Sequence, residues 1–212
     1  MITSNIGKMF LDAYNEEYGT SYDARTFFLE QFYPLFFDQN KYMMTAGNSP
    51  LENPKLSWDD MIKGKKPFET PEQRKIRFEK LIKKIEESEA DASIARGYAS
   101  LDVTATTSGQ VTDLKLPNSQ EEIYTSWIGD ALGIGVQGGF SILFSNKEIL
   151  LDIFKGWKLY RKCLNETSML KGNQINTWNG QWLSHYYDPR EYDADMPLAG
   201  YNPFNVNKDG II

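Results

Sequence analysis

Between Asp23 and Phe37 the chain carries the run Phe27-Phe28-Leu29-Glu30-Gln31-Phe32-Tyr33-Pro34-Leu35-Phe36-Phe37, which is apolar on almost every side. A helix with a single apolar stripe can lie on a surface, but one that is apolar all round must be buried in a core or docked on a partner. Asp23 is placed to cap its N-terminus, and Pro34 is expected to kink or end it. With 212 residues, the chain is long enough to enclose such a segment.

The rest of the composition narrows the class. A formal charge of −6 and a pI near 5.0 argue against a protein that coats nucleic acid indiscriminately, because that requires dense Lys and Arg to displace counterions. A local basic surface stays open. Cys163 is the single cysteine, so an internal disulfide is excluded and a reducing compartment, the cytoplasm, is expected. No stretch reads as a secretory leader or a membrane span, and no membrane partner is expected.

Loop signals cluster between about Thr45 and Pro71, in Gly47-Asn48-Ser49-Pro50, Asn53-Pro54 and Lys63-Gly64-Lys65-Lys66-Pro67. The expected fold class is therefore α/β (α+β). A helical, aromatic-rich lobe over 1–50 and a linker over 51–70 lead into a core over 71–187, of order α-β-β-α-β-α with a small mixed sheet. Residues 188–212 read as an extended segment. It ends in Asn207-Lys208-Asp209-Gly210-Ile211-Ile212, a turn followed by either a short last strand or the beginning of a longer continuation.

Within that core, Thr70-Pro71-Glu72-Gln73 spells a capping box with proline in the first helical turn. The helix it opens has the apolar stripe Ile76, Leu81, Ile82 and Ile85, with Phe78 to one side. Its polar side holds Arg74, Lys75, Arg77, Lys80, Lys83 and Lys84 before Glu86, Glu87 and Glu89, an order opposed to the helix dipole. Either the basic residues serve something besides the helix or the face is simply solvated.

Next, Leu101 to Leu116 reads as a hairpin around Ser108-Gly109, pairing Thr104 with Asp113 and Asp102 with Lys115. Alternation puts Leu101, Val103, Ala105, Thr112, Leu114 and Leu116 on one face and Asp102, Thr104, Asp113 and Lys115 on the other. Two carboxylates on neighbouring strands can hold Mg²⁺, which polarises a phosphodiester and supports a hydroxide nucleophile while an ammonium stabilises the developing charge. Asp102 and Asp113 would be the ligands, Glu87 a further carboxylate, and Lys115 the ammonium. The plain alternative is a solvated hairpin with one opposed ion pair.

Further elements follow the hairpin. Asn118-Ser119-Gln120-Glu121-Glu122 caps a helix with buried Ile123, Trp127, Ile128, Ala131 and Leu132, stopping at Gly133. Ile134 to Phe144 reads as one strand with a bulge or close approach at Gly138-Gly139, and Ser145-Asn146-Lys147-Glu148 opens a long helix to about Asn165.

In this order of elements, with Asp102 followed by Asp113-Leu114-Lys115, the chain resembles the restriction-endonuclease-like nuclease superfamily over about residues 70–145. Leu101 stands where that family usually has proline. The resemblance implies a Mg²⁺-dependent endonuclease of restriction type, with Asp102, Asp113 and Lys115 as its catalytic residues.

A nucleic-acid partner, DNA or else RNA, has two further candidate contacts. Lys155, Lys158 and Lys162 share one stripe of the long helix, with Arg161 beside them, and such a row could track a phosphate backbone or be ordinary solvent-facing charge. Asn173, Gln174 and Trp178 lie in a stretch of amides and indoles suited to hydrogen-bonding and stacking on bases, or else to a surface turn anchored by Trp178 and Trp182.

Other motifs are discounted. Gly133-Ile134-Gly135-Val136-Gln137-Gly138 spells a dinucleotide fingerprint in the wrong structural order. Cys163 and His185 read as a small core residue and a packed ring, not as a catalytic pair. Two functional classes stay open. One is the nuclease. The other is a non-catalytic interaction module, or a subunit of a larger nucleic-acid-handling, defence-type assembly, which would dock, or pair with a second copy, through Phe27–Phe37.

Overall fold

The computed structural model describes residues 1–45, 51, 58–87, 94–99, 111, 119–136, 140–171 and 175–205. Its described residues form helices α1 (Ile2–Tyr18), α2 (Ala24–Phe27), α3 (Tyr33–Phe36), α4 (Trp58–Ile62), α5 (Pro71–Glu87), α6 (Gln120–Ala131), α7 (Lys147–Glu166) and α8 (Ile175–Tyr186). A wider, π-helical turn over Phe28–Phe32 joins α2 to α3, and strands β1 (Ile134–Val136) and β2 (Phe140–Ile142) form an antiparallel pair. The class is thus mostly helical with a small sheet. Among the described residues no helix is long and apolar enough to cross a membrane. The hairpin expected over Leu101–Leu116 lies outside the described residues.

The aromatic run is a helix whose rings are buried, while Glu30 is exposed and Leu29, Gln31, Pro34 and Leu35 are half-buried. Asp23 caps it by accepting from the Thr26 N–H, and Phe27, Phe28, Phe32, Tyr33, Phe36 and Phe37 are all buried. Pro34 does not end the helix. The π-turn immediately before it, in which the Tyr33 N–H reaches back to the Phe28 carbonyl, shifts the hydrogen-bond register ahead of the residue that lacks an N–H. This burial overturns the idea of Phe27–Phe37 as a docking surface: its rings already pack on Phe10, Tyr14, Phe78, Tyr124, Trp127 and Trp157 of the same chain.

Helix α6 lies at the centre and packs chiefly on α1. No motif in the first residues announces α1, yet Ile6, Phe10, Leu11 and Tyr14 recur on one face and are buried. The two helices approach backbone to backbone through a reciprocal pair of glycines. A Cβ on Gly7 would lie 1.9 Å from the Thr125 carbonyl oxygen, and one on Gly129 would lie 1.9 Å from that of Thr3. One hydrophobic cluster runs from Ile6 to Trp182, so the core is continuous across the 51–70 segment expected as a linker.

Two of the three expected capping boxes are present, Thr70 with Gln73 opening α5 and Ser119 with Glu122 opening α6, whereas the box expected over Ser145–Glu148 gives way to Asn146, whose side chain caps α7 by accepting from the Ile149 N–H. On α5, Leu81 and Ile85 are buried as expected, but Ile76 is 52% exposed while Arg74 is buried. The arginines of α5 turn inward to satisfy polar groups. Arg74 donates to Asp38, to Asn40 and to the Glu69 carbonyl, and Arg77 donates to Tyr42, to Glu69 and to the Leu51 carbonyl. Lys75 and Lys83 form i,i+4 pairs with Glu79 and Glu87. The two arginines are thus structural, while Lys75, Lys80, Lys83 and Lys84 are solvent-exposed.

The stretch expected as one bulged strand is instead two, with Ile134 opposite Ile142 and Val136 opposite Phe140. Helix α7 keeps its expected stripe, with Leu150, Ile153, Phe154, Trp157, Tyr160 and Leu164 buried. Residues expected as a surface turn or a base-reading stretch form α8, which crosses α7 where a Cβ on Gly156 would lie 2.3 Å from the Trp182 ring.

Candidate ligand-binding cleft

Of the residues singled out in the sequence, the described ones lie on three helices, Glu87 on α5, Lys155, Lys158, Arg161 and Lys162 on α7, and Trp178 on α8. Asp102, Asp113, Lys115, Asn173 and Gln174 lie outside the described residues. Glu87 sits exposed at the end of α5, 3.9 Å from Lys83, and no group of three or more His, Cys, Asp or Glu side chains able to hold a metal occurs among the described residues.

The expected phosphate row on α7 is largely committed elsewhere. Arg161 is 7% exposed, and its guanidinium donates to the carbonyls of Leu35, Phe36 and Lys41, which closes the end of α3. Burial pushes its pKa down to about 10, so it is still a cation at neutral pH. Lys155 donates to Asp152 at 2.7 Å, and that hydrogen bond raises its pKa above the ordinary lysine value. Lys158 lies over the rings of Tyr18 and Phe154, and Lys162 is exposed. These contacts correct the reading of Arg161 as a backbone contact and weaken that of the row.

Trp178 is likewise unavailable for stacking on bases. It is buried, donates its indole N–H to the Gly156 carbonyl at 3.0 Å and stacks on Tyr160 at 4.5 Å. The amides beside it serve the fold. Asn176 and Asn179 donate to the carbonyls of Asp130, Ala131 and Gly133, satisfying the C-terminal end of α6, and Trp157 donates back to Asn179 at 3.0 Å.

What the fold does leave open is a cleft of about 690 Å³ between β1, α8 and the segment after it. Gly180 lets the strand approach the helix, since a Cβ there would lie 3.1 Å from Ile134 Cγ2. Ile134, Gly135 and Val136 form one wall, and Thr177, Gly180, Gln181, Ser184 and His185 form the floor. Asp188, Glu191, Tyr201 and Pro203 close the far side. Among the described residues no lysine or arginine lines it.

Two buried polar atoms with no hydrogen-bond partner, His185 Nδ1 and Tyr201 Oη, belong to rings that stack at 4.4 Å on this far side. Buried polar atoms are paired in the great majority of cases, so two adjacent orphans beside one cleft call for an explanation. Burial raises the Tyr201 pKa, which keeps its hydroxyl neutral. Asp188 is held near pKa 2 by the hydrogen bonds it accepts from the Arg190 side chain and backbone.

From the cleft wall the hairpin extends outward as an apolar surface. Val136, Phe140 and Ile142 share one face of the pair, and all are exposed, Phe140 by 72%. No charged residue occurs between Asp130 and Lys147. Isolated strand edges are usually protected by charge or proline, and this one has neither. Sequence reasoning missed this surface by merging both strands into one, although the uncharged, glycine-interrupted stretch was its visible sign. No family model, no curated protein and no solved structure matches the chain.

Proposed function

We propose that this chain is a non-catalytic interaction module that holds an extended segment of a protein partner along the β1–β2 face and the cleft beneath it. The observation that carries the reading is the exposed Val136–Phe140–Ile142 face on an uncharged strand pair, opening onto a cleft with unsatisfied polar atoms. Strand addition would extend the two-stranded sheet beyond β2, whose outer edge no described strand pairs with. A cytoplasmic setting and membership of a larger nucleic-acid-handling assembly belong to this proposal. Photo-crosslinking tests it: a photoreactive amino acid at Phe140 is expected to label one protein in the host cell, and the same group at exposed Ile76 on α5 is not. Equal labelling from both positions, or none from 140, refutes the reading.

A second reading is favoured by the spacing Asp102, Asp113-Leu114-Lys115, preceded by Glu87 at the end of a helix. It is a Mg²⁺-dependent endonuclease acting on DNA, or else on RNA, with an α-β-β-α-β-α core. Incubation with plasmid DNA and Mg²⁺ should then give cutting that Asp113→Ala and Lys115→Ala both abolish. No cutting across varied DNA and RNA removes it.

A further inference from the structure

His185 has its tautomer fixed by its surroundings. Nε2 lies 2.9 Å from the Pro197 carbonyl oxygen, which only accepts, so the neutral ring carries its hydrogen on Nε2 and leaves a lone pair on Nδ1. The ring is 4% exposed and is held by Tyr201 on its face and by Tyr192 and Trp182 around it. Opposite Nδ1, at 4.0 Å, lies Glu191 Oε2, another acceptor. In the neutral ring these are two acceptors facing each other with no hydrogen between them, and the buried Nδ1 is left without a partner.

We infer that this gap receives a cationic nitrogen, the ammonium of a lysine or the guanidinium of an arginine on the partner segment. The inference rests on the interaction-module reading and names the chemistry its cleft selects. A nitrogen about 2.8 Å from each of two acceptors 4.0 Å apart sees them at an angle of about 90°, within the range its hydrogens can serve. Charge agrees. Asp188 is engaged by Arg190, which leaves Glu191 as the carboxylate facing His185, and among the described residues no basic side chain lines the cleft to repel a cation. The Glu191 side chain is 69% exposed and so can swing aside to admit the ligand. Ile134, Val136 and Pro203 offer apolar contact to a methylene stem, the part of a long basic side chain that packs while its head is hydrogen-bonded.

His185 is the only histidine, so its imidazole nitrogens can be followed by NMR without assignment ambiguity. Titration with the methylamides of N-acetyl-lysine and N-acetyl-arginine is expected to shift the Nδ1 resonance saturably. The neutral norleucine and citrulline counterparts should bind about tenfold more weakly or less, because they lack the charge-assisted hydrogen bond. Glu191→Gln is expected to remove that preference while the free protein keeps its Nε2–H tautomer, which separates lost recognition from lost structure. Equal response to charged and neutral probes, an unchanged preference in Glu191→Gln, or no response into the millimolar range overturns the inference. If crosslinking from Phe140 persists in that case, the interaction reading stands and only the cationic ligand falls. If crosslinking is absent too, both fall.

Discussion

The two sides of this molecule treat their polar groups differently. Around α3, α6 and α7 most inward-facing polar side chains are matched, Tyr124 Oη of α6 being an exception: Arg161 serves three carbonyls, Asn176 and Asn179 close the end of α6, and the indoles of Trp127, Trp157, Trp178 and Trp182 each donate to an oxygen. On the flank made by β1, β2 and the segment after α8, His185 Nδ1 and Tyr201 Oη are unmatched, and Phe140 and Ile142 face solvent. Matched groups have completed their work within the chain. Unmatched ones retain free energy for a partner, so the flank, and not the basic stripe of α7, is where binding is expected.

The comparison is tested most severely at the closest helix contact. Gly129→Val would drive a side chain into the Thr3 carbonyl, which belongs to a helix backbone and cannot yield. Overpacking of this kind should cost about 3 kcal/mol or more and lower the Tm by roughly 6–12 °C, measured by thermal unfolding. Trp157→Ala removes a fully buried ring and an indole N–H bonded to Asn179, and a loss of about 3–5 kcal/mol is expected in urea titration. Arg161→Met should cost about 3 kcal/mol by orphaning the carbonyls it serves, and Arg161→Lys should rescue little because an ammonium lacks the planar fork. An Arg161→Met protein of unchanged stability would return that residue to the surface role expected from sequence.

On the flank the same treatment should barely register in stability. Phe140→Glu is expected to change unfolding by less than about 0.5 kcal/mol while abolishing the partner crosslink, and a large destabilisation would mean that the face is part of the chain's own core. The smallest effect concerns acid. Asp188 has its pKa lowered from 3.8 to about 2 by Arg190, so its contribution to stability is complete above 3.8 and disappears as the pH falls through about 2. Stability in that window should fall less steeply in Asp188→Asn than in the parent, and identical acid profiles would contradict the pairing.

Where a signal is local, the sequence is legible. Thr70 with Gln73, Ser119 with Glu122 and Asp23 ahead of Ala24 each name a helix start, because a cap needs only residues three apart to meet. The stripe of α7 and the burial of His185 are legible for similar reasons. The arginines are not. Arg74, Arg77 and Arg161 look like solvent-facing charge in any local pattern, and only the arrival of distant carbonyls makes inward positions satisfactory for them. The long apolar stretch after Gly133 reads as one strand because alternation cannot reveal that a chain reverses within it.

By itself, the sequence determined that Phe27–Phe37 must be covered by a core or a partner, that helices begin near Asp23, Thr70, Asn118-Ser119 and Ser145-Asn146, and that Cys163 has no cysteine to pair with. Tertiary structure alone decided which groups remain unmatched. Matching depends on atoms far apart in the chain, such as Arg161 and Leu35 or Asn179 and Ala131, and His185 Nδ1 is buried without a partner only because folding packs Trp182, Tyr192 and Tyr201 around the ring.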